Sequence, residues 1–390
     1  MDPIINSLLD TDQYKLTMFQ AVFHQFPSAY VRYKFKCRNK GITFTEEQAD
    51  EINWQIKHLC ELQFTEDELK YLGNLRFIKS DFVDLLRIFK LQTRYVNVSC
   101  YDGELEITIT GPWWQTMLFE VPVLAIVNEV YFYVNTPPEY WDALNVGERK
   151  LREKIDLVKT EPDFKFIDFG TRRRYSRSWH DKIMADLVYS QNFVGTSNVF
   201  FARKYGTTAR GTHAHEWFQG CQALTRVRDS QKFALQKWAD EYRGDLGIAL
   251  SDTLGIDAFL RDFDPYFAKL FDGVRHDSGD PIVWVDKVIN HYKQFSIDPM
   301  TKTAVFSDGL TFPKAIEIMK YCQGKIKPMF GIGTNLTNDL VRVPLNIVMK
   351  ITHCNGIPVA KISDSGGKGM CEDPKYLEYL KNQFNIGEIK

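Results

Sequence analysis

From about residue 160 the chain repeats one unit: a short apolar run closing on small, polar or charged residues, then a helical, charge-patterned stretch. KFIDFGTRR, NFVGTSN, TARGTHAHE, GIALSDTLG, FDGVRHDSGD, TAVFSDGL and IKPMFGIGT carry this pattern. Their starts lie on average about 27 residues apart, the length of one strand–helix unit. Buried parallel strands alternating with helices leave two architectures, a doubly wound sheet or a β/α barrel. In both, the loops after the strand C-termini hold the ligand. Almost every run here ends in residues able to bind one. An open sheet uses mainly the loops at its switch point, so the pattern predicts an α/β fold of the barrel kind.

The flanking segments read differently. Asp10 or Thr11 is placed to cap a helix in which Tyr14, Met18, Val22 and Phe26 recur at four-residue spacing. Val31, Tyr33, Phe35 and Cys37 alternate with Arg32, Lys34, Lys36 and Arg38, the period of a half-exposed antiparallel strand. Residues 43–90 look mainly helical, Asp102-Gly103 turns a hairpin, and a helix follows from about Trp114 to Val134. Near the other end Asn355-Gly356 turns a second hairpin, Ile347–Cys354 with Ile357–Ser363. An antiparallel hairpin has no place in a parallel barrel, so it is expected to join the N-terminal strands. The domains are then 1–150 with 345–390, discontinuous, and 151–344, the barrel.

Lys+Arg 49 against Asp+Glu 50 gives a net charge of −1, so no bulk field gathers polyanions. Neither nucleic acid nor a membrane surface is an expected partner, and any anion must be held by a local site. Seven cysteines without a C-x-x-C pair argue against a disulfide framework and a zinc ribbon, and point to reduced thiols in the cytoplasm. The N-terminus lacks the basic-then-apolar pattern of a secretory signal. The most apolar stretch, Phe119 to Val134, is broken by Glu120, Asn128 and Glu129, so no membrane span is expected.

Several loop motifs can carry chemistry. Gly331-Ile332-Gly333-Thr334 lets backbone amides approach an anion, though it equally describes a glycine turn. Ser307-Asp308-Gly309 can add a ribose or phosphate contact. Arg275-His276-Asp277-Ser278-Gly279-Asp280 places a guanidinium beside two carboxylates, which suits a magnesium-bound diphosphate or a capped turn. Arg172-Arg173-Arg174 reads as a phosphate or RNA contact or, more simply, as a solvated helix start. His213 and His215, two residues apart after a strand, are open to three readings: metal ligands, a packed pair, or a nucleophile accepting a phosphoryl group.

Taken in order, LLDTDQYKLTMFQAVFH, FIDFGTRRR, FVGTSN, GTHAHEWFQG, GIALSDT, RHDSGDP, FSDGL, FGIGT, PLNIVMK and PVAKISDS resemble the nicotinate phosphoribosyltransferase family over essentially the whole chain. The resemblance implies an irregular β/α barrel of the type II phosphoribosyltransferases joined to an α/β sandwich built from both termini. It also implies a cytoplasmic homodimer with sites at the subunit interface. The implied reaction joins nicotinate to phosphoribosyl pyrophosphate with Mg2+ present, giving nicotinate mononucleotide and pyrophosphate, while ATP is hydrolysed through a phosphohistidine. By the same resemblance the ring stacks between Phe169 and Tyr14, the latter from the partner subunit, and Thr212 and Arg275 meet its carboxylate. Asp277, Ser307, Asp308, Gly331, Gly333 and Thr334 hold the phosphoribosyl group, its phosphate and the magnesium diphosphate. Arg172, Thr196 and Ser197 belong to the same substrate set. His215 is the modified histidine, with Asp252 orienting it.

Other readings are distinguishable. Relatives acting on nicotinamide carry an Asp where Ser197 stands in Gly195–Asn198, and a quinolinate enzyme needs more paired basic residues at strand ends. A metal-dependent amidohydrolase requires further histidines, for which His276 and His353 are loose candidates. An RNA-binding role rests on Arg172–Arg174 alone.

Overall fold

The computed structural model describes residues 1–135, 140–365 and 369–387. Helix α1 (Gln13–Gln25) precedes strand β1 (Tyr30–Cys37), three helices cover Glu46 to Ile88, and β2 (Val96–Tyr101) and β3 (Glu104–Pro112) form a hairpin. Helical residues then run from Trp113 to Asn135 and from Tyr140 to Lys159. Six strands alternate with helices thereafter: β4 (Phe166–Asp168), β5 (Phe193–Thr196), β6 (Ile248–Leu250), β7 (Gly273–His276), β8 (Thr303–Phe306) and β9 (Lys327–Ile332). The last strands are β10 (Ile347–Cys354) and β11 (Ile357–Pro358), before a helix Pro374–Phe384.

Two sheets result. The antiparallel one has the order β11-β10-β1-β3-β2, with β10 from the far end of the chain seated between β11 and β1. Both termini therefore build one sheet, as the second hairpin signal predicts. The other sheet is parallel, in the order β5-β4-β9-β8-β7-β6. Its open side, between β5 and β6, is closed by an irregular segment. Ala209 bridges Thr196 in parallel, and Thr212 Oγ1 donates to the Ile248 carbonyl at 2.8 Å. That seam makes the barrel irregular. Stacked rings fill the layer between the sheet and its helices: Phe330 lies 5.2 Å from Phe164 and 5.6 Å from Phe306 between centroids, with Phe312 and Trp284 of the covering helices against them.

Local differences from the sequence reading have physical causes. Asp12, not Asp10 or Thr11, precedes α1, and it makes no side-chain cap. Asp10 is spent instead on Arg174, in a buried two-pronged pair at 2.7 and 2.9 Å. Helix Tyr140–Lys159 runs across the boundary placed at 150, so no domain break occurs there. The strand expected to reach Ser363 stops pairing at Pro358. The chain then leaves the sheet, and Ala360, Ile362, Leu380 and Phe384 pack on Leu254 and Ala258 of the barrel. The run Trp113–Tyr133 is long and apolar enough to cross a membrane, but it is mostly buried in the protein as a core helix. All seven cysteines are free.

Candidate active site

The loops after the barrel strands converge with α1, the end of β1 and the middle of β10 on a cleft of about 930 Å³. One end is aromatic. β4 ends on Asp168, whose carboxylate accepts from the Gly170 amide at 2.8 Å and from Thr196 Oγ1 at 2.6 Å, and lies 2.7 Å from His180 Nε2. Between these anchors Phe169 enters the cleft, its ring over Gly331; a Cβ at 331 would fall 2.2 Å from that ring. Ser197 Oγ donates to Asp12 at 2.7 Å, and its carbonyl accepts from the Gln13 amide at 2.7 Å. The β5 loop thereby fixes the start of α1, and Tyr14 reaches the same cleft as Phe169.

The resemblance expects this tyrosine from a partner subunit; in the single chain Tyr14 already reaches the cleft. The chain's own Tyr14 lines its own site because α1 is stitched along the segment that closes the barrel. Gln13 Nε2 donates to the Gly211 carbonyl at 2.7 Å, and Thr17 Oγ1 to that of Thr212 at 2.7 Å. Beneath them Lys15, fully buried, pairs with Glu216 and lies 2.5 Å from Glu120. Tyr33 and Trp113 also donate to Glu216, so no charge there is left bare.

The other end is built for anions. Arg172, Arg275, Asp277, Ser307, Asp308, Gly333 and Thr334 all line the cleft, as expected from sequence. Burial raises the Asp277 carboxyl, but Arg275, with Nη2 3.9 Å away, and other nearby cations outweigh it and bring it to about 2. Ser307 Oγ donates to Asp277 at 2.9 Å. Opposite, burial lowers Lys350 to about 8, and burial with the neighbouring Arg172 lowers Arg173 to about 10. Cations crowded this way gain from an incoming polyanion. The solvated reading of Arg172–Arg174 is also corrected: Arg174 is fully buried on Asp10, while Arg172 and Arg173 face the cleft.

Three expected ligand residues, and the acid expected to orient His215, stand outside the lining. The Thr196 and Thr212 hydroxyls are spent on Asp168 and on the Ile248 carbonyl, Gly331 lies under Phe169, and Asp252 lies behind His215. In this structure the first three build the walls around the cleft, and Asp252 sits beside His215.

His213 and His215 point to different surroundings. His213 is buried with its ring edge-on to Trp238 at 4.7 Å and to Phe218 at 5.2 Å, with no hydrogen bond on either nitrogen among the described residues, and it is not part of the donor group around His215. His215 faces the cleft, with Nε2 2.7 Å from Asp252 Oδ1. Sequence reasoning missed Lys361, whose Nζ lies 2.7 Å from the same nitrogen and 2.9 Å from Asp252 Oδ2. It stands in PVAKISDS, one of the segments that carry the resemblance. Burial, then the Lys361 charge, lowers His215 to about 4 despite Asp252, so the ring is neutral near pH 7.

Donor atoms of His215, Asp252 and Asp277 lie within 4.8 Å of one another. Lys361 and Ser278 already bond to Asp252, whereas Asp277 keeps a partly exposed carboxylate beside the cleft. An oxygen donor of low basicity next to an anion site fits magnesium carried on a diphosphate, with Asp277 as the residue to hold it.

Comparison with known proteins bears on this geometry. Residues 164–388 match the profile of the nicotinate phosphoribosyltransferase (NAPRTase) family, and residues 9–128 match that of the NAPRTase N-terminal domain. A nicotinate phosphoribosyltransferase of Bordetella petrii is 54% identical over 98% of this chain and 99% of its own. One of Cupriavidus necator is 55% identical over the same shares. Crystal structures of nicotinate phosphoribosyltransferases from Vibrio cholerae and Porphyromonas gingivalis superpose with a TM-score of 0.92 each. They are 42% and 37% identical, covering 99% and 98% of this chain and 95% and 100% of theirs. A barrel whose strand-end loops close over one cationic cleft, matched along both segments of the chain, belongs to the nicotinate phosphoribosyltransferase family.

Proposed function

We propose that the protein transfers the phosphoribosyl group of phosphoribosyl pyrophosphate to nicotinate, with ATP hydrolysed through a phosphohistidine at His215. The observation that carries the reading is one cleft joining an aromatic slot, Phe169 with Tyr14, to a cationic end with Arg275 and Asp277. The pyridine nitrogen already holds a lone pair, so no strong general base is required. Departure of pyrophosphate leaves a cationic sugar next to the slot of Phe169 and Tyr14, and puts negative charge where Arg172, Arg173 and Lys350 stand. Magnesium bound with the diphosphate supplies further neutralisation of that leaving group, and Asp277 would hold it. Arg275 would pair with the nicotinate carboxylate, and Asp252 would orient His215. The product is a pyridine mononucleotide and feeds NAD synthesis. A cytoplasmic homodimer is part of this reading.

The test is product formation from phosphoribosyl pyrophosphate and magnesium with nicotinate or nicotinamide, each with and without ATP. Nicotinate mononucleotide should form faster with ATP, and ATP labelled in the γ-phosphate should leave an acid-labile, base-stable label on His215. His215→Ala should abolish nicotinate-stimulated ATP hydrolysis and leave slow synthesis, while His213→Ala still labels. Equal use of nicotinamide, or ATP stimulation intact in His215→Ala, would refute the assignment.

A further inference from the structure

Two groups compete for one ring nitrogen. His215 Nε2 lies 2.7 Å from a carboxylate oxygen of Asp252 and 2.7 Å from the ammonium of Lys361. The carboxylate needs a proton on Nε2, the ammonium needs a lone pair there, and a neutral imidazole nitrogen cannot offer both. The contacts therefore mark two tautomers. With the proton on Nε2, Asp252 accepts it and the free electron pair is on Nδ1. With the proton on Nδ1, Lys361 donates to Nε2 and occupies the only pair. Nδ1 makes no hydrogen bond among the described residues, and Asp277 Oδ2, 3.7 Å from Nε2, stands beyond hydrogen-bond reach, so Asp252 and Lys361 are the two hydrogen-bond partners that choose between them. Asp252 stays in place either way, since Ser278 Oγ donates to it at 2.6 Å. Lys361 is also a wall of the cleft, which puts its ammonium within reach of an arriving anion.

We propose that Lys361 is a positioning residue that selects the tautomer of His215, and that polyphosphate in the cleft switches the selection. In the empty cleft Lys361 donates to Nε2 and the ring is masked as a nucleophile. A polyphosphate draws the ammonium toward its own oxygens, the ring proton moves to Nε2 and bonds to Asp252, and the pair on Nδ1 is exposed. This rests on the phosphohistidine reading given above. In the transfer the Nδ1 pair forms the bond to the γ-phosphorus. The bond from that phosphorus to the bridging oxygen breaks, its pair leaves on ADP, and the Nε2 proton stays between ring and Asp252. Such a device restrains wasteful phosphorylation until the cleft holds its anions.

The experiment observes the ring nitrogens of 15N-histidine-labelled protein, with inorganic pyrophosphate as the probe. In the wild type the His215 signals should change from the Nδ1–H to the Nε2–H pattern when pyrophosphate is added. Lys361→Met should show the Nε2–H pattern throughout, and Lys361→Arg, which keeps a charged donor, should restore the response. The phosphoryl label should sit on Nδ1. A wild-type ring in one tautomer with and without pyrophosphate overturns the proposal, and so does a label on Nε2. The wild-type measurement decides the matter even if Lys361→Met does not fold. A tautomer change without any label would instead overturn the phosphohistidine reading and leave the selection standing.

Discussion

Replacing Arg275 by alanine should erase the discrimination between nicotinate and nicotinamide. Arg275 lies on β7 with its side chain mostly buried, and its Nε is buried without a hydrogen-bond partner. Its nearest acid, Asp277, is 3.9 Å from Nη2, so the donors of the guanidinium are largely unspent. A substrate carboxylate meeting them forms a charge-assisted pair in a partly desolvated site. Its loss costs roughly 2–4 kcal/mol, or about 30- to 1,000-fold in kcat/KM. Nicotinamide has only a neutral carbonyl to lose there, about 1 kcal/mol or roughly fivefold. The variant also frees Asp277 to titrate higher, which weakens the diphosphate end. That effect falls on both bases alike and cancels in the ratio of their kcat/KM values. The assay is steady-state synthesis with each base at saturating phosphoribosyl pyrophosphate, in the wild type, Arg275→Ala and Arg275→Lys. The lysine variant should recover part of the nicotinate preference, having charge without the fork. An equal fall for both bases would show that Arg275 does not read the carboxylate.

Other residues give equally direct tests. Because each chain's Tyr14 lines its own cleft, mixing Tyr14→Ala with Arg275→Ala chains should restore no activity after verified exchange; recovery would mean the tyrosine comes from a partner. Gly331→Ala should raise the KM for nicotinate about tenfold or more with the KM for phosphoribosyl pyrophosphate little changed, because the new methyl displaces the Phe169 ring. Asp10→Asn should lower the unfolding free energy by about 3–5 kcal/mol in denaturant titrations, since Arg174 is left buried and unpaired. Burial raises the Asp10 carboxyl, but Arg174 outweighs it and brings it to about 2. The folded value lies below the unfolded one of about 4, so roughly 2 kcal/mol of stability is present above that pH. It is lost as pH falls toward 2 in the wild type, and the Asn variant should lack this acid limb.

The barrel was legible because its strands are buried on both faces and each must end where the chain turns toward the ligand. Both the apolar runs and the residues closing them are local signals. The Asn355-Gly356 turn was equally local, and a rule of topology then placed its hairpin with the N-terminal strands, where β10 pairs with β1. The errors fall where a local signal is overruled by a distant partner. Asp10 has every feature of a helix cap, yet Arg174, far along the chain, holds it more strongly than an amide could. Arg172–Arg174 has the composition of a solvated face, and only the folded position of Asp10 and of the cleft reverses that. Thr212 stands in a motif that matches ligand-binding text, but closing a six-stranded parallel sheet needs an acceptor-seeking hydroxyl at the seam, and Thr212 is spent there.

Composition hid the anion site for a related reason. The chain carries a net charge of −1, yet nine Lys and Arg residues line the cleft against five Asp and Glu. The acids are unevenly shared among the cations. Glu216 and Glu120 are committed to Lys15 beneath the floor, and Asp12 accepts from Ser197. Asp277 and Asp308 are left among Arg275, Arg172, Arg173, Lys350 and Lys361. Burial and the neighbouring Arg172 drive Lys350 and Arg173 toward their neutral forms, and an arriving polyanion would reverse that. Net charge counts residues, whereas affinity for a polyanion depends on which of them already have a partner. In this chain that pairing joins residues from both ends, through Lys15 on α1 and Lys361 beyond β11, and no single stretch of sequence contains it.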